Sequence, residues 1–347
     1  MHARDSGIPF GGLSHALPVA GGGILFMKMI AGIDIGGTKC AVSLGCADET
    51  GTITVLERRA FPTIAEQPYM VLKELAGMLK EMLIKKSDSA ISLDAIGISC
   101  GGPLDTKKGL VLSPPNLPGW DEIPVVSYFE EVFGVPVKLQ NDANACALAE
   151  WRWGAGRGCE HMIFLTFGTG MGAGLILNGR LYSGANDMAG EVGHIRMESK
   201  GPSGYGKEGS FEGFCSGGGI ARLGVMMHEM WMAQGKQTSI QTFDAKGIAE
   251  AAENMDELAL CIYSKVGTYL GRGIAVLIDI LNPECIVIGS IYSRQEALLR
   301  DYVLKEIKKE ALELNQSVCR IVPAGLGESV GDFAALAVGM DGLALIS

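Results

Sequence analysis

The chain has 347 residues, 48% hydrophobic and 20% charged, with a net charge of −10. That length accommodates two domains of ordinary size, each with its own core, and the composition excludes a disordered chain. The acidic balance argues against nucleic acid as the main partner, and nine cysteines without a C-x-x-C pair fit reduced thiols in a cytoplasmic protein. Residues 1–27 alternate Gly, Pro, His and short apolar pieces without period. Their apolar run, Gly21 to Met27, is too short to span a bilayer and lacks the basic start and cleavage site of a secretory signal. We expect a loosely packed or disordered extension there, with Met27 or Met29 as the natural start.

The first informative stretch is Ile33-Asp34-Ile35-Gly36-Gly37-Thr38-Lys39 followed by Ala41-Val42-Ser43-Leu44, which reads as strand, two-glycine turn and returning strand. Glycines let a backbone approach a ligand closely and adopt positive φ at little cost, and successive N–H groups in such a turn form an anion-binding nest. Thr38 adds a hydroxyl, and Asp34 a carboxylate able to hold a hydrated Mg²⁺. The segment is also compatible with an ordinary tight hairpin. A third strand is expected at 52–56. Met70, Leu72, Leu75, Met78, Leu79, Met82 and Leu83 then fall at helical spacing over about 67–86. A buried strand, Ala95 to Cys100, ends in Gly101-Gly102-Pro103, giving a β-β-β-α-β order and a mixed α/β lobe. Pro114 to Trp120 is a rigid aromatic loop that either lines a cleft or simply links two lobes.

Val135 to Gln140 reads as a strand feeding Asn141-Asp142-Ala143-Asn144 and an Ala-rich helix through Glu150. Asn141 or Asp142 is a helix N-cap, or Asp142 is a carboxylate at a strand end that takes a proton from a hydroxyl. Ile163 to Leu177 repeats the earlier pattern: an apolar strand, Gly168-Thr169-Gly170-x-Gly172, and a strand running out. Two such hairpins about one domain apart hint at a duplication that clamps phosphates between two lobes. Met188 to Ile195 places Glu191 and His194 between glycines, suited to hydrogen-bonding a polyol or to a structural role. Helices are expected at about 217–234, 244–281, 294–314 and 330–343, with strands at 285–289 and 320–322.

Two motif matches fail. Gly201-x₄-Gly206-Lys207 resembles a phosphate loop, but Glu208 stands where a Mg²⁺-binding Ser/Thr is needed and no buried strand precedes it. Gly168-x-Gly170-x-x-Ala173 resembles a dinucleotide fingerprint, which requires a following helix; here Leu175 to Tyr182 reads as a strand–Asn-Gly–strand hairpin.

Taken together, Asp34-x-Gly36-Gly37-Thr38-Lys39, Gly101-Gly102-Pro103, Asn141-Asp142-Ala143-Asn144 with Ala147 and Glu150, Gly168-Thr169-Gly170-x-Gly172-x-Gly174 and Ala189-Gly190-Glu191-x-Gly193-His194 resemble the ROK family (repressors, open reading frames, sugar kinases) from Met29 onward. The resemblance implies an α/β, two-lobed actin/hexokinase/Hsp70-like fold, a duplicated ribonuclease H-like architecture with the ligand cleft between lobes. We expect a small lobe over 28–121, completed by a C-terminal helix at about 330–347, and a large lobe over 122–329. By resemblance Asp142 is the general base on the attacking sugar hydroxyl, and Gly102, Asn116, Asn141, Asp142, Glu191, His194 and Glu212 contact the sugar. Asp34, Gly36, Gly37, Thr38, Lys39, Gly168, Thr169, Gly170, Gly172 and Gly289 serve ATP and its phosphates, with Asp34 associated with Mg²⁺ through water.

One departure is clear. The family usually carries a zinc loop, C-x-C-G-x-x-G-C-x-E, after the histidine; here Ser203, Tyr205 and Ser210 replace the cysteines while Glu212 remains. Serine and tyrosine are poor zinc ligands beside thiolate, so no structural zinc is expected. A second departure, Gly289-Ser290-Ile291 in place of consecutive glycines, touches the adenine end. The resemblance favours an ATP- and Mg²⁺-dependent kinase acting on the 6-hydroxyl of a glucose-like hexose, with sugar and MgATP as partners, no membrane partner, and a homodimer as the assembly. The alternatives are a catalytically idle sugar-binding protein, or a repressor, which requires an N-terminal helix-turn-helix that 27 Gly/Pro-broken residues do not supply.

Overall fold

The computed structural model describes residues 15–18, 24–85 and 92–344. In chain order the first elements are strands β1 (His15–Pro18), β2 (Ile24–Ile35), β3 (Lys39–Ala47) and β4 (Ile53–Pro62), then helix α1 (Pro68–Lys85) and β5 (Leu93–Cys100). Short strands β6 (Leu104–Asp105) and β7 (Leu110–Val111), helix α2 (Val125–Phe133) and β8 (Val137–Asn141) complete this half. The sheet order is β4-β3-β2-β5-β8, with β1 added to β2. β2–β3 and β3–β4 are antiparallel, whereas β2–β5 and β5–β8 are parallel. β3 is buried at every position after Lys39, as a strand covered on both faces must be, while β4 alternates and is the edge.

The second half repeats this plan. After α3 (Asp142–Trp153) come β9 (Met162–Phe167), β10 (Met171–Leu177) and β11 (Arg180–Leu181). The small hairpin β12 (Ser203–Gly204) and β13 (Lys207–Glu208) precedes α4 (Phe211–Phe214), α5 (Gly217–Ala233), α6 (Ala245–Glu253) and α7 (Glu257–Leu281). Then follow β14 (Cys285–Ile288), α8 (Ile291–Glu310), α9 (Glu313–Val318), β15 (Arg320–Pro323) and α10 (Val330–Ala344). The order β11-β10-β9-β14-β15 has the same succession as the first sheet, a three-stranded meander extended by two parallel strands. The two glycine turns occupy equivalent places, between β2 and β3 and between β9 and β10. The duplication hinted at by two short motifs is therefore a duplication of whole sheets.

Each sheet has its own core. On the first, Val71, Leu72, Leu75, Leu79 and Met82 of α1 cover Ile33, Ile35, Val42 and Ile98; burying each such side chain is worth about 1.5–3 kcal/mol. On the second, α5 through α8 cover Ile163, Leu165, Ile286 and Ile288. Helices α3 and α10 join the halves: Leu148 and Ala337 pack with Phe164 and Val287, while the backbone of α10 also lies against the first sheet. Gly97 permits this close approach, since a Cβ there would stand 2.0 Å from the Ala335 carbonyl oxygen.

Three expectations are corrected, and a fourth falls mostly outside the described residues. The small lobe does not stop at residue 121: β8 pairs with β5, and Val125, Phe129, Val137 and Leu139 belong to the first core. Within the stretch read as a loose extension, His15–Pro18 runs antiparallel to Ile24–Met27; residues 1–14 and 19–23 lie outside the described residues, as do Lys86 and residues 345–347. The helical region 244–281 is two helices, broken where Met255 takes φ +64° and Asp256 caps α7 through the Ala259 N–H. The segment expected as one helix over 294–314 starts at Ile291 and ends at Glu310, with α9 separate.

Candidate active site

A cavity of about 660 Å³ lies between the two sheets. Of the residues singled out from sequence, Gly102, Asn141, Asp142, Glu191, His194, Glu212, Gly168, Thr169, Gly170, Gly172 and Gly289 line it. The first hairpin, Asp34 through Lys39, and Asn116 stand beside the cavity and form no part of its wall. They are packed on one another: a Cβ on Gly37 would fall 2.4 Å from the Asn116 carbonyl oxygen. Gly36 and Gly37 do not have positive φ, so glycine is required at Gly37 for close approach and not for a left-handed turn.

Asp142 follows β8 directly and is the first residue of α3. Asn141 is the cap: its Oδ1 accepts the Asn144 N–H at 2.7 Å, which leaves its amide N–H groups for a ligand. Asp142 Oδ1 accepts the Ala143 N–H at 2.8 Å. Asp142 is exposed to the open cavity. Burial pushes its pKa up, while the hydrogen bond from Ala143 opposes the rise. Asp34, at the end of β2, is pushed up to about 6, first by burial and then by the charge of Asp142, with Lys39 and Arg58 opposing. The two carboxylates therefore feel each other across the floor of the cleft, although only Asp142 faces the cavity.

Glu191 and His194 sit on a single 3-10 turn, Val192–His194. Gly190, at φ +94°, lets that turn lie on β10, where a Cβ would come within 2.0 Å of the Ala173 carbonyl oxygen. The Glu191 carboxyl is also raised, by burial and by Asp142 and Glu212. Glu212 Oε2 accepts the Met171 N–H at 3.1 Å, so it ties the start of α4 to the second glycine hairpin. The β12–β13 hairpin occupies the place of the cysteine-bearing loop. Lys207 Nζ donates to the His194 carbonyl at 2.6 Å, Arg196 donates to the Glu208 carbonyl at 2.7 Å, and Ser210 Oγ caps α4 through the Gly213 N–H.

Two threonines that sequence reasoning missed brace the glycine turns. Thr63 donates from its hydroxyl to the Gly36 carbonyl at 2.6 Å and from its N–H to the Thr38 carbonyl. In the second half, Thr166 Oγ1 accepts the Gly172 N–H at 2.8 Å. Their position just after a strand, or just before a glycine turn, is the only signal in the sequence. Among the described residues no lysine or arginine lines the cavity, whereas Asp142, Asp187, Glu191 and Glu212 do. A phosphate entering such a wall needs backbone N–H donors and a cation of its own.

Paired sheets of one order, with a glycine hairpin on each and a carboxylate between them, define a two-lobed α/β protein of the actin/hexokinase kind. Residues 30–341 match the ROK family, and the chain belongs to it. It is 34% identical over 289 residues to the glucokinase of Halalkalibacterium halodurans, covering 81% of this chain and 84% of that one. With the glucokinase of Thermotoga maritima it shares 31% identity over 316 residues, 90% of this chain and 97% of the other. The crystal structure of a Streptomyces griseus ROK glucokinase in complex with glucose and AMPPNP superposes with a TM-score of 0.69 at 28% identity, covering 90% of this chain and all of that one.

Proposed function

We propose that this cavity transfers the γ-phosphoryl group of MgATP to a hydroxyl, the 6-hydroxyl, of a glucose-like hexose. The chain is a sugar kinase, a phosphotransferase to an alcohol acceptor, by its family and its glucokinase relatives. The observation that carries the finer reading is the placing of Asp142: a carboxylate of raised pKa on the cavity, between the sugar-suited Asn141, Glu191 and His194 and the Gly168–Gly172 hairpin. Phosphoryl transfer asks a protein mainly for in-line positioning, charge stabilisation and one base for the hydroxyl proton. Asp142 takes that proton at its carboxylate, and a raised pKa makes it a stronger base. Asn141, Glu191 and His194 fix the remaining sugar hydroxyls. The N–H groups of the second hairpin face the phosphates, and Asp34 with the first hairpin completes the charge environment.

The residues suit a divalent cation. Among the described residues the wall has four carboxylates and no lysine or arginine, and Asp34 adds a fifth acid close to Asp142, an excess of negative charge that Mg²⁺ relieves. Asp34 would hold it through water, and bound there it would neutralise charge on the phosphates. An ADP-release assay with MgATP against hexoses and N-acetylhexosamines tests the proposal. Sugar-dependent release with one best acceptor supports it. Silence across the panel, with sugar binding still visible in a thermal shift, would mean a binding protein without turnover.

A further inference from the structure

The cavity wall crosses from one lobe to the other at a pair of residues that no motif flags. Thr106 lies in the turn between β6 and β7 of the first lobe, and Asp187 in the loop that precedes Gly190 in the second. The Thr106 N–H and the Thr106 hydroxyl both donate to Asp187 Oδ2, at 2.9 Å each. Both residues line the cavity and both are half-buried. Asp187 holds φ +63°, a conformation that aspartate tolerates better than most residues. Because both bonds go to Oδ2, Oδ1 accepts nothing from the described residues and stands ready to accept a ligand hydroxyl.

We infer that Asp187 is a specificity-determining contact to the acceptor sugar, and that Thr106 is the positioning residue that aims it across the gap between the lobes. This rests on the sugar-kinase reading above. A ligand hydroxyl donated to Oδ1 joins both lobes through one carboxylate, so acceptor binding and approach of the lobes reinforce each other. Asp187 shares the wall with Asp142, Glu191 and Glu212, and among the described residues no lysine or arginine joins them. Such a wall accepts hydrogen bonds from neutral polyols and repels sugar acids and sugar phosphates, since like charges at close quarters are strongly disfavoured. The acceptor is therefore a neutral, unphosphorylated polyhydroxy sugar, one hydroxyl of which is read by Asp187.

The experiment measures KM for sugar, KM for ATP and kcat in D187A and T106V, using the best acceptor and its monodeoxy derivatives. A hydrogen bond to a charged acceptor corresponds to roughly a 10- to 100-fold effect. D187A is expected to raise sugar KM by about that factor, to leave ATP KM within about twofold, and to stop discriminating against one particular deoxy sugar. T106V keeps the carboxylate and loses one of its two anchors. It is expected to raise sugar KM about threefold to tenfold while keeping the deoxy preference, and it serves alone if D187A does not fold. Sugar KM within twofold of wild type in both variants, or a parallel rise in ATP KM, overturns the assignment; a merely structural role would move both KM values together. If the wild-type protein turns over no sugar, the kinase reading fails by itself. Calorimetric titration of sugar into wild type and D187A then decides the role of Asp187: weaker binding supports it and equal binding overturns it.

Discussion

Replacing Asp142 with asparagine separates chemistry from binding and from stability in one variant. The side chain keeps its volume, and an amide Oδ1 can still accept the Ala143 N–H that now bonds the carboxylate at 2.8 Å, so the first turn of α3 and its cap at Asn141 stay in place. What is lost is the proton acceptor. General-base catalysis is worth about 10²–10⁴-fold, equivalent to about 3–5 kcal/mol of barrier at 1.36 kcal/mol per decade. We expect kcat to fall by that factor with sugar KM within about threefold, because positioning by Asn141, Glu191 and His194 is untouched. Stability should move the other way. The folded-state pKa of Asp142 lies above its ordinary value of 3.8 because of burial, so the folded protein binds this proton more tightly than the unfolded chain. That contribution to stability is fully present below 3.8 and is lost as pH rises through the folded-state value. Asparagine has no charge to lose, so the variant should melt above wild type at pH 8, and the difference should vanish toward pH 3.5. Near-normal kcat in the variant would refute the assignment of Asp142 as the base, and a melting temperature below wild type at pH 8 would refute its raised pKa.

Asp34, at about 6, titrates in partnership with Asp142, so kcat/KM for MgATP should show an acidic limb near pH 6 as protons compete with the cation. Raising Mg²⁺ should move that limb to lower pH, and a limb indifferent to Mg²⁺ would exclude Asp34 from cation binding. Gly97→Ala should cost about 3 kcal/mol in urea unfolding, because its Cβ would lie 2.0 Å from the Ala335 carbonyl oxygen. Gly77→Ala in α1, where a Cβ meets nothing within 4 Å, should stabilise by about 0.5–1 kcal/mol; equal effects would contradict the backbone contact between α10 and the sheet. Lys207→Met should raise sugar KM several-fold by freeing the His194 carbonyl, with ATP KM unchanged. Prolonged chelation should leave the wild-type melting temperature unaltered, and a drop on metal removal would show that the β12–β13 hairpin is held by a metal after all.

The elements that sequence made legible were those with a local signature. Two strand–glycine–strand patterns located both glycine hairpins, and the 3.6-residue spacing of Leu72, Leu75 and Leu79 located α1 within a residue or two. What was misread depended on partners distant in sequence. The loop from Pro114 to Trp120 looked like a lobe boundary from its prolines and glycine. In the fold, Leu117 and Trp120 are fully buried and the indole N–H donates to the Ala65 carbonyl at 2.8 Å, which pins the loop to the first core and carries α2 and β8 with it. Only Pro115 of that loop reaches the cavity. Thr106 and Asp187 are 81 positions apart, and neither has a period, a glycine pair or a flanking motif to mark it. Their relation exists only once the two lobes face each other.

The seat of α10 bears on how the protein comes into being. β2 and β5 lie in the first third of the chain, yet part of one face of their sheet is covered by residues 333–340, with Leu336 fully buried beside Ile30 and Gly339 against Gly97. A ribosome adding roughly 5–20 residues per second leaves that apolar face without its cover for at least ten seconds while the second half emerges. The first lobe thus completes only after the second has been made. A chain stopped anywhere before α10 exposes Ile30 and the close-packing glycines to solvent, where quality-control machinery can recognise it.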